Sequence, residues 1–299
     1  MTVADRPPHV AGSDTIEATI RRLVRAPAPL LAVIDFDGTL AVGSRDPGVA
    51  EIEPGARRGL RALARVGQER PGRAHVAVLT GRVVRDVVAR VRVGGIEYLG
   101  DHGLERGLVP RGGRVASVRV SIDPAWDGHR DPAEALAAGV PAELGDPAWL
   151  FVERKGPSVA FHVRQADDVA SARAAVIEAI AAVELRLGLA HGLAHYRGRS
   201  VVDLRPRDAG GKREAVERLI AARRPGAVVA FGDELSDVDA FEAVIAARTG
   251  ATGSTIVGIT VAVHGVERPA PSELLAVADL SVAGPRDVGR LLAGLARRL

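Results

Sequence analysis

Apolar runs and helical patterns alternate along most of the chain. Leu30–Ile34 is a continuous apolar run, short enough for a strand buried on both faces. Pro54–Val66 places apolar residues at helical spacing, with Pro54 suited to a first turn. Ala74–Leu79 predicts a second buried strand, followed by a helix over Val83–Val91 and a third strand at Ile96–Leu99. Near the end, Ala227–Phe231, Ile256–Val263 and Leu280–Val282 read as strands. Arg213–Ala222, Val238–Ala247 and Pro271–Val277 read as helices. Strand–helix alternation of this kind favours an α/β fold around a parallel sheet.

The middle of the chain follows another pattern. Leu150–Glu153 and Val159–Val163 are short strands around the turn Lys155-Gly156-Pro157-Ser158. An Ala-rich helix spans roughly 167–187, and Ala194–Tyr196 and Ser200–Leu204 form another short pair. Two hairpins and a helix predict an α+β module, 111–206, inserted between core segments 15–110 and 207–299. Residues 1–14 are polar and Pro-containing and read as a frayed terminus, and 123–131 reads as a loop near the boundary.

Composition removes several classes. The 299 residues contain no Cys, which excludes disulfides, thiolate metal sites and a cysteine nucleophile. No apolar run approaches the roughly 18–20 residues of a membrane helix, and no signal-peptide pattern opens the chain, so a soluble cytoplasmic protein is expected. Forty basic residues against 37 acidic ones are interleaved, and aromatics make up 3%, which argues against nucleic-acid binding. Of the forty cations, 38 are Arg, and only Lys155 and Lys212 are Lys. The glycines at 250, 253 and 258 do not form a dinucleotide fingerprint, and His191 and His195 lack a second ligand cluster.

The strongest chemical signal is Asp35-Phe36-Asp37-Gly38-Thr39-Leu40, directly after the first predicted strand. Ligands of open α/β sheets gather beyond the carboxyl ends of the strands. Two carboxylates placed there repel each other unless a cation lies between them, and a hard divalent ion such as Mg²⁺ fits oxygen donors. Val78-Leu79-Thr80-Gly81-Arg82 sets a hydroxyl at the end of the second strand, and Lys212 opens a helix. Phe231-Gly232-Asp233-Glu234-Leu235-Ser236-Asp237 sets an acidic group after a late strand.

In this order, these four segments resemble the motifs of the haloacid dehalogenase superfamily. Gly100-Asp101-His102-Gly103-Leu104-Glu105, Glu153-Arg154-Lys155, His162-Val163-Arg164 and Asp203-Leu204-Arg205-Pro206 are similar to segments of the trehalose-6-phosphate phosphatase family. The resemblance runs over about 30–295 and implies a Rossmann-like core with an inserted α+β cap that closes over the sugar. It implies Asp35 as nucleophile, Asp37 as acid and then base, and Thr80 and Lys212 on the phosphoryl oxygens. Mg²⁺ would be held by Asp35, Asp233, Asp237 and the carbonyl of Asp37. Arg82, His102, Glu105, Glu153, Lys155, His162, Arg164 and Asp203 would bind substrate, with trehalose 6-phosphate expected and a trehalose-phosphate synthase a possible functional partner.

The chain departs from the family pattern at Asp101 (for Asn), Asp203 (for Glu), Arg213 (for Gly), Glu234 (for Asp) and Val238 (for Glu). None of these removes a catalytic group, but Asp101 puts a charge where the family has an amide. The alternatives are the same chemistry on another sugar or pseudo-disaccharide phosphate, or a silent sugar-phosphate binder. The sequence leaves oligomeric state and regulation open.

Overall fold

The computed structural model describes residues 10–43, 47–188, 192–198, 200–250, 256–265 and 269–299. His191 and Gly253 lie outside them. The chain divides into two compact units, 1–121 with 211–299, and 122–210.

The first unit begins with α1 (Ser13–Arg25), then β1 (Leu30–Ile34), α2 (Pro54–Glu69), β2 (Ala74–Leu79), α3 (Val84–Val91), β3 (Glu97–Gly100), β4 (Glu105–Leu108) and β5 (Arg119–Ile122). The second holds α4 (Arg130–Glu143), β6 (Phe151–Arg154), β7 (Val159–His162), α5 (Val169–Leu187), β8 (Leu193–Gly198) and β9 (Val201–Pro206). The chain then returns to the first unit with α6 (Lys212–Arg223), β10 (Ala227–Gly232), α7 (Ser236–Arg248), β11 (Val257–Val263), α8 (Ser272–Val277), β12 (Leu280–Val282) and α9 (Pro285–Arg298).

In the first unit one sheet runs in the order β12-β11-β10-β1-β2-β3-β4-β5. The six strands from β12 to β3 are parallel, and β4 turns back antiparallel on β3. β1 is buried at every position because both faces of the sheet are covered. Leu30, Ala32 and Ile34 pack into a core with α1, α2, α3 and α9, while Leu31 and Val33 pack into another with α6, α7 and α8. The period-two alternation of a strand divides β1 between the two cores. This is the predicted α/β class.

Three expectations change. Residues 10–14 are ordered: the Ala11 N–H donates to the Ser281 carbonyl at 2.7 Å, and α1 starts at Ser13. The division falls at 121/122 rather than at 111, because β5 joins the edge of the large sheet beside β4. The expected loop at 123–131 is a 3₁₀ turn over Pro124–His129, running directly into α4. There Asp123 accepts from the Ala125 N–H and Pro124 occupies the first turn, so the prolines start a helical segment.

The second unit is a four-stranded antiparallel sheet, β6-β7-β9-β8, so the two predicted hairpins join through β7 and β9. Leu136 and Val140 of α4 and Val176, Ile180 and Val183 of α5 pack on Val159, Phe161, Val202 and Leu204 of the sheet. Among the described residues no helix is long and apolar enough to cross a membrane.

Candidate active site

β1 is central, with β10 on one side and β2 on the other, and both pair with it in register. Ile34 lies opposite Phe231 and opposite Val78. The residues that follow these strand ends, Asp35, Asp233 and Thr80, therefore emerge at one level of the sheet's carboxyl edge. The Asp35 N–H donates to the Phe231 carbonyl at 3.1 Å, which ties the Asp35 loop to the acidic loop. Open parallel sheets bind ligands at this edge.

Asp35, Asp233, Asp237, Thr80 and Lys212 are all buried. Lys212 opens α6 and places its Nζ 2.8 Å from Asp35 Oδ1 and 2.7 Å from Asp237 Oδ1. Burial by itself would lower the Lys212 ammonium, but Asp237 and Asp35 hold it above its ordinary value and so charged. Burial pushes the Asp35 carboxyl well above the usual carboxylate range. Lys212 opposes that shift, and Asp237 and Glu234 add to it.

Asp35 Oδ2 is buried and has no hydrogen-bond partner. Asp35, Asp233 and Asp237 each offer a carboxylate oxygen, and these atoms all lie within 4.8 Å of one another. Three buried carboxylates facing one ammonium leave an excess of negative charge. An all-oxygen donor set with an orphaned carboxylate oxygen fits a hard divalent cation.

Asp237 has a second function. Its Oδ2 accepts from the backbone N–H groups of Asp233 (3.0 Å) and Glu234 (3.1 Å), so the first turn of α7 closes the acidic loop. Thr80 Oγ1 accepts from the Arg82 N–H at 3.2 Å, which leaves the hydroxyl proton to be donated elsewhere. Gly38 has φ +83°, and a Cβ there would lie 2.0 Å from Asp233 Oδ2. Gly38→Ala is expected to cost about 1–3 kcal/mol in a urea titration and to remove most of the activity, because it displaces Asp233. Unchanged stability and turnover in this variant would show that the loop tolerates a side chain.

The substrate residues predicted in the first unit take several positions. Arg82 does not reach outward; its fork holds Asp37 through Nε (2.6 Å) and Nη2 (2.7 Å). Asp101 and His102 adopt left-handed backbone, with φ +47° and +57°, and Asp101 is fully buried. Their N–H groups donate to the carbonyls of Arg82 and Thr80, which fastens this segment beside the Thr80 loop. Glu105 Oε2 accepts from the Val84 N–H at 2.5 Å and so satisfies the first donor of α3.

The second unit brings its predicted residues onto the sheet face opposite its helices. Glu153, Ala160, Asp203 and Tyr196 are successive cross-strand partners. Lys155 Nζ lies 3.7 Å from Glu153 and 3.5 Å from Asp203, and His162 Nε2 lies 3.0 Å from Glu153. Arg164 is half-buried two residues beyond His162. Sequence reasoning missed two members of this cluster. Arg205 pairs with Asp203 at 2.9 Å, and its guanidinium lies 3.7 Å from the centre of the Tyr196 ring. Arg205 could have been found, since it is two residues from Asp203 on one strand. Tyr196 needed the β8–β9 register.

Comparison with known proteins gives related results. Residues 144–272 match the family described as trehalose-phosphatase. A Mycobacterium tuberculosis protein named an uncharacterized glycosyl hydrolase is 36% identical over 237 residues, covering 77% of this chain and 16% of its own length. The trehalose-phosphate phosphatase of the same species is 32% identical over 225 residues, covering 70% of this chain. The chain spans about half the length of that enzyme, 50%. The C-terminal domain of the C. albicans trehalose-6-phosphate phosphatase superposes with a TM-score of 0.72 at 17% identity, covering 98% of this chain and 99% of that domain.

Proposed function

We propose that this chain, related in sequence to the trehalose-phosphatase family and in fold to haloacid dehalogenase-like hydrolases, is a phosphatase that hydrolyses trehalose 6-phosphate. The observation that carries the reading is Asp35. It is a buried carboxylate at the end of the central strand, with one oxygen on Lys212 and the other without a hydrogen-bond partner. A carboxylate so placed is an oxygen nucleophile.

In this reading Asp35 attacks phosphorus, the ester P–O bond breaks, and Asp37 gives a proton to the departing sugar oxygen. The Asp35 acyl phosphate is then hydrolysed by water, whose proton Asp37 accepts. Thr80 donates its hydroxyl proton to a phosphoryl oxygen, and Lys212 neutralises charge beside the nucleophile. Mg²⁺ is the divalent ion that fits Asp35, Asp233 and Asp237, and it would supply charge neutralisation at the transferring group.

We assign Glu153, Lys155, His162, Arg164 and Asp203 to recognition of the glucose hydroxyls or the phosphate. These groups alternate in charge on one sheet face. Lys155 is held between two acids, so it is pre-set and not free-swinging.

Phosphate release from a panel of sugar phosphates tests the reading. Trehalose 6-phosphate is expected to give the highest kcat/KM, by about tenfold or more over glucose 6-phosphate and sucrose 6-phosphate, with turnover lost in EDTA. A higher value on another phosphodisaccharide would keep the chemistry and move the substrate. Binding of trehalose 6-phosphate with no metal-dependent turnover would replace the enzyme by a sugar-phosphate binder.

A further inference from the structure

Asp37 follows the nucleophile on an open loop, and its side chain is 40% exposed. A proton donor must present its carboxyl to the leaving oxygen in one orientation, and a half-exposed carboxylate has two side-chain torsions that would have to be fixed. Arg82 supplies that constraint. Its side chain is 11% exposed, and both nitrogens on one edge of the fork meet the two oxygens of Asp37, at 2.6 and 2.7 Å. A planar bidentate pair fixes the plane of the carboxylate as well as its position.

Arg82 is itself braced. Its remaining Nη1 donates to Asp86 Oδ2 at 2.7 Å, and Arg90 Nε lies 2.9 Å from both Asp86 oxygens. Arg90 Nη1 then donates to the carbonyls of Ala50 (2.7 Å) and Gly48 (3.1 Å). The result is a ladder of alternating charge, Asp37, Arg82, Asp86, Arg90, ending on backbone. Asp86 and Arg90, four residues apart, share one face of α3, and Arg82 reaches Asp86 from the segment just before the helix. The guanidinium carbon of Arg82 also lies 5.5 Å from the centre of the Phe36 ring, so the fork is seated from a third side.

We infer that Asp86 and Arg90 are positioning residues for the reaction: they fix Arg82, and through its fork the orientation of Asp37, without touching substrate. This rests on the reading of Asp37 as the group that protonates the leaving oxygen. The purely structural alternative is that the ladder only ties α3 to the 48–50 segment.

Leaving-group dependence separates the two. A sugar alkoxide needs a proton as it departs, whereas p-nitrophenolate does not, so misplacing the acid affects only the first. Asp86→Ala in the full chain with Mg²⁺ is expected to lower kcat on trehalose 6-phosphate about tenfold, with KM within about twofold. On p-nitrophenyl phosphate the loss is expected to stay below about threefold. Asp86→Glu, which keeps the charge between the two arginines, is expected to recover most of the loss. Arg90→Ala is expected to show the same selective pattern more weakly, and it serves as the second variant if Asp86→Ala folds poorly.

Equal losses on both substrates, a change confined to KM, or no loss would overturn the positioning role while leaving the phosphatase reading intact. A wild-type chain that releases phosphate from neither substrate would overturn that reading and this role together.

Discussion

Asp35→Asn is expected to lower phosphate release by about 10⁴-fold or more and to leave the protein folded. The amide has no lone pair with carboxylate basicity to offer phosphorus, so the first bond-forming step is lost. The fold survives because the substitution is isosteric and relieves charge. The Asn carbonyl still accepts from Lys212 Nζ, now 2.8 Å from Asp35 Oδ1, and Asp237 keeps its own 2.7 Å contact. Asp35 also sits among like charges that burial makes costly, and removing one of them is not expected to destabilise the site. Single-turnover assay of released phosphate and a thermal melt check both halves. Retained turnover would remove Asp35 from the mechanism, and an unfolded variant would show that the carboxylate is structural.

Lys212→Arg is the second large effect, and it is large although charge is conserved. The side chain is 1% exposed and its single nitrogen lies between Asp35 and Asp237. An ammonium is a compact charge with rotatable donors; a guanidinium is a wide planar fork that cannot enter the same gap without displacing one carboxylate. The expected loss in kcat/KM is about 10²–10³-fold, with about 1–3 kcal/mol of stability lost to overpacking. Lys212→Met is expected to destabilise more, by about 3–5 kcal/mol, because it leaves buried carboxylates facing each other with no ammonium. Urea titration orders the two, and wild-type activity in Lys212→Arg would show that only charge is needed there. The chain uses Arg for 38 of 40 cations, and Lys212 stands where the geometry has room for one nitrogen.

Much of the core was legible because a buried parallel strand is a short unbroken apolar run. Leu30–Ile34 has its observed boundaries for this reason, and Ala74–Leu79 and Leu280–Val282, mostly apolar with one polar residue each (His75 and Ser281), were legible from the same signal. Helices α1, α4 and α9 were not read. α9 carries Gly289 and Gly294 in its interior, and a Cβ on Gly289 would lie 2.5 Å from the Gly55 backbone. Its sequence is set by close approach to α2, against helix propensity. α4 contains Pro132 and Pro141, which read as breakers but occupy its first and last turns.

The candidate site divides in the same way. The positions of Asp35, Thr80 and Asp233 follow from strand ends and were readable, as was the alternation that puts Asp203 and Arg205 on one face. The partners were not readable. Lys212 meets Asp35 across 177 residues, and Thr39 meets Asp233 across 194. Arg82 reads as a substrate ligand along the chain, yet in space its fork holds Asp37; Asp237 reads as a ligand, yet it also closes the loop that carries Asp233.

By itself, then, the sequence determined the sheet, the edge that carries the candidate site and the residue types gathered there, because apolar periodicity and strand ends are local. Only the tertiary structure decided which charge faces which. Pairing energies fall steeply with distance and dielectric, and those distances are set by strand order and register between segments far apart in the chain.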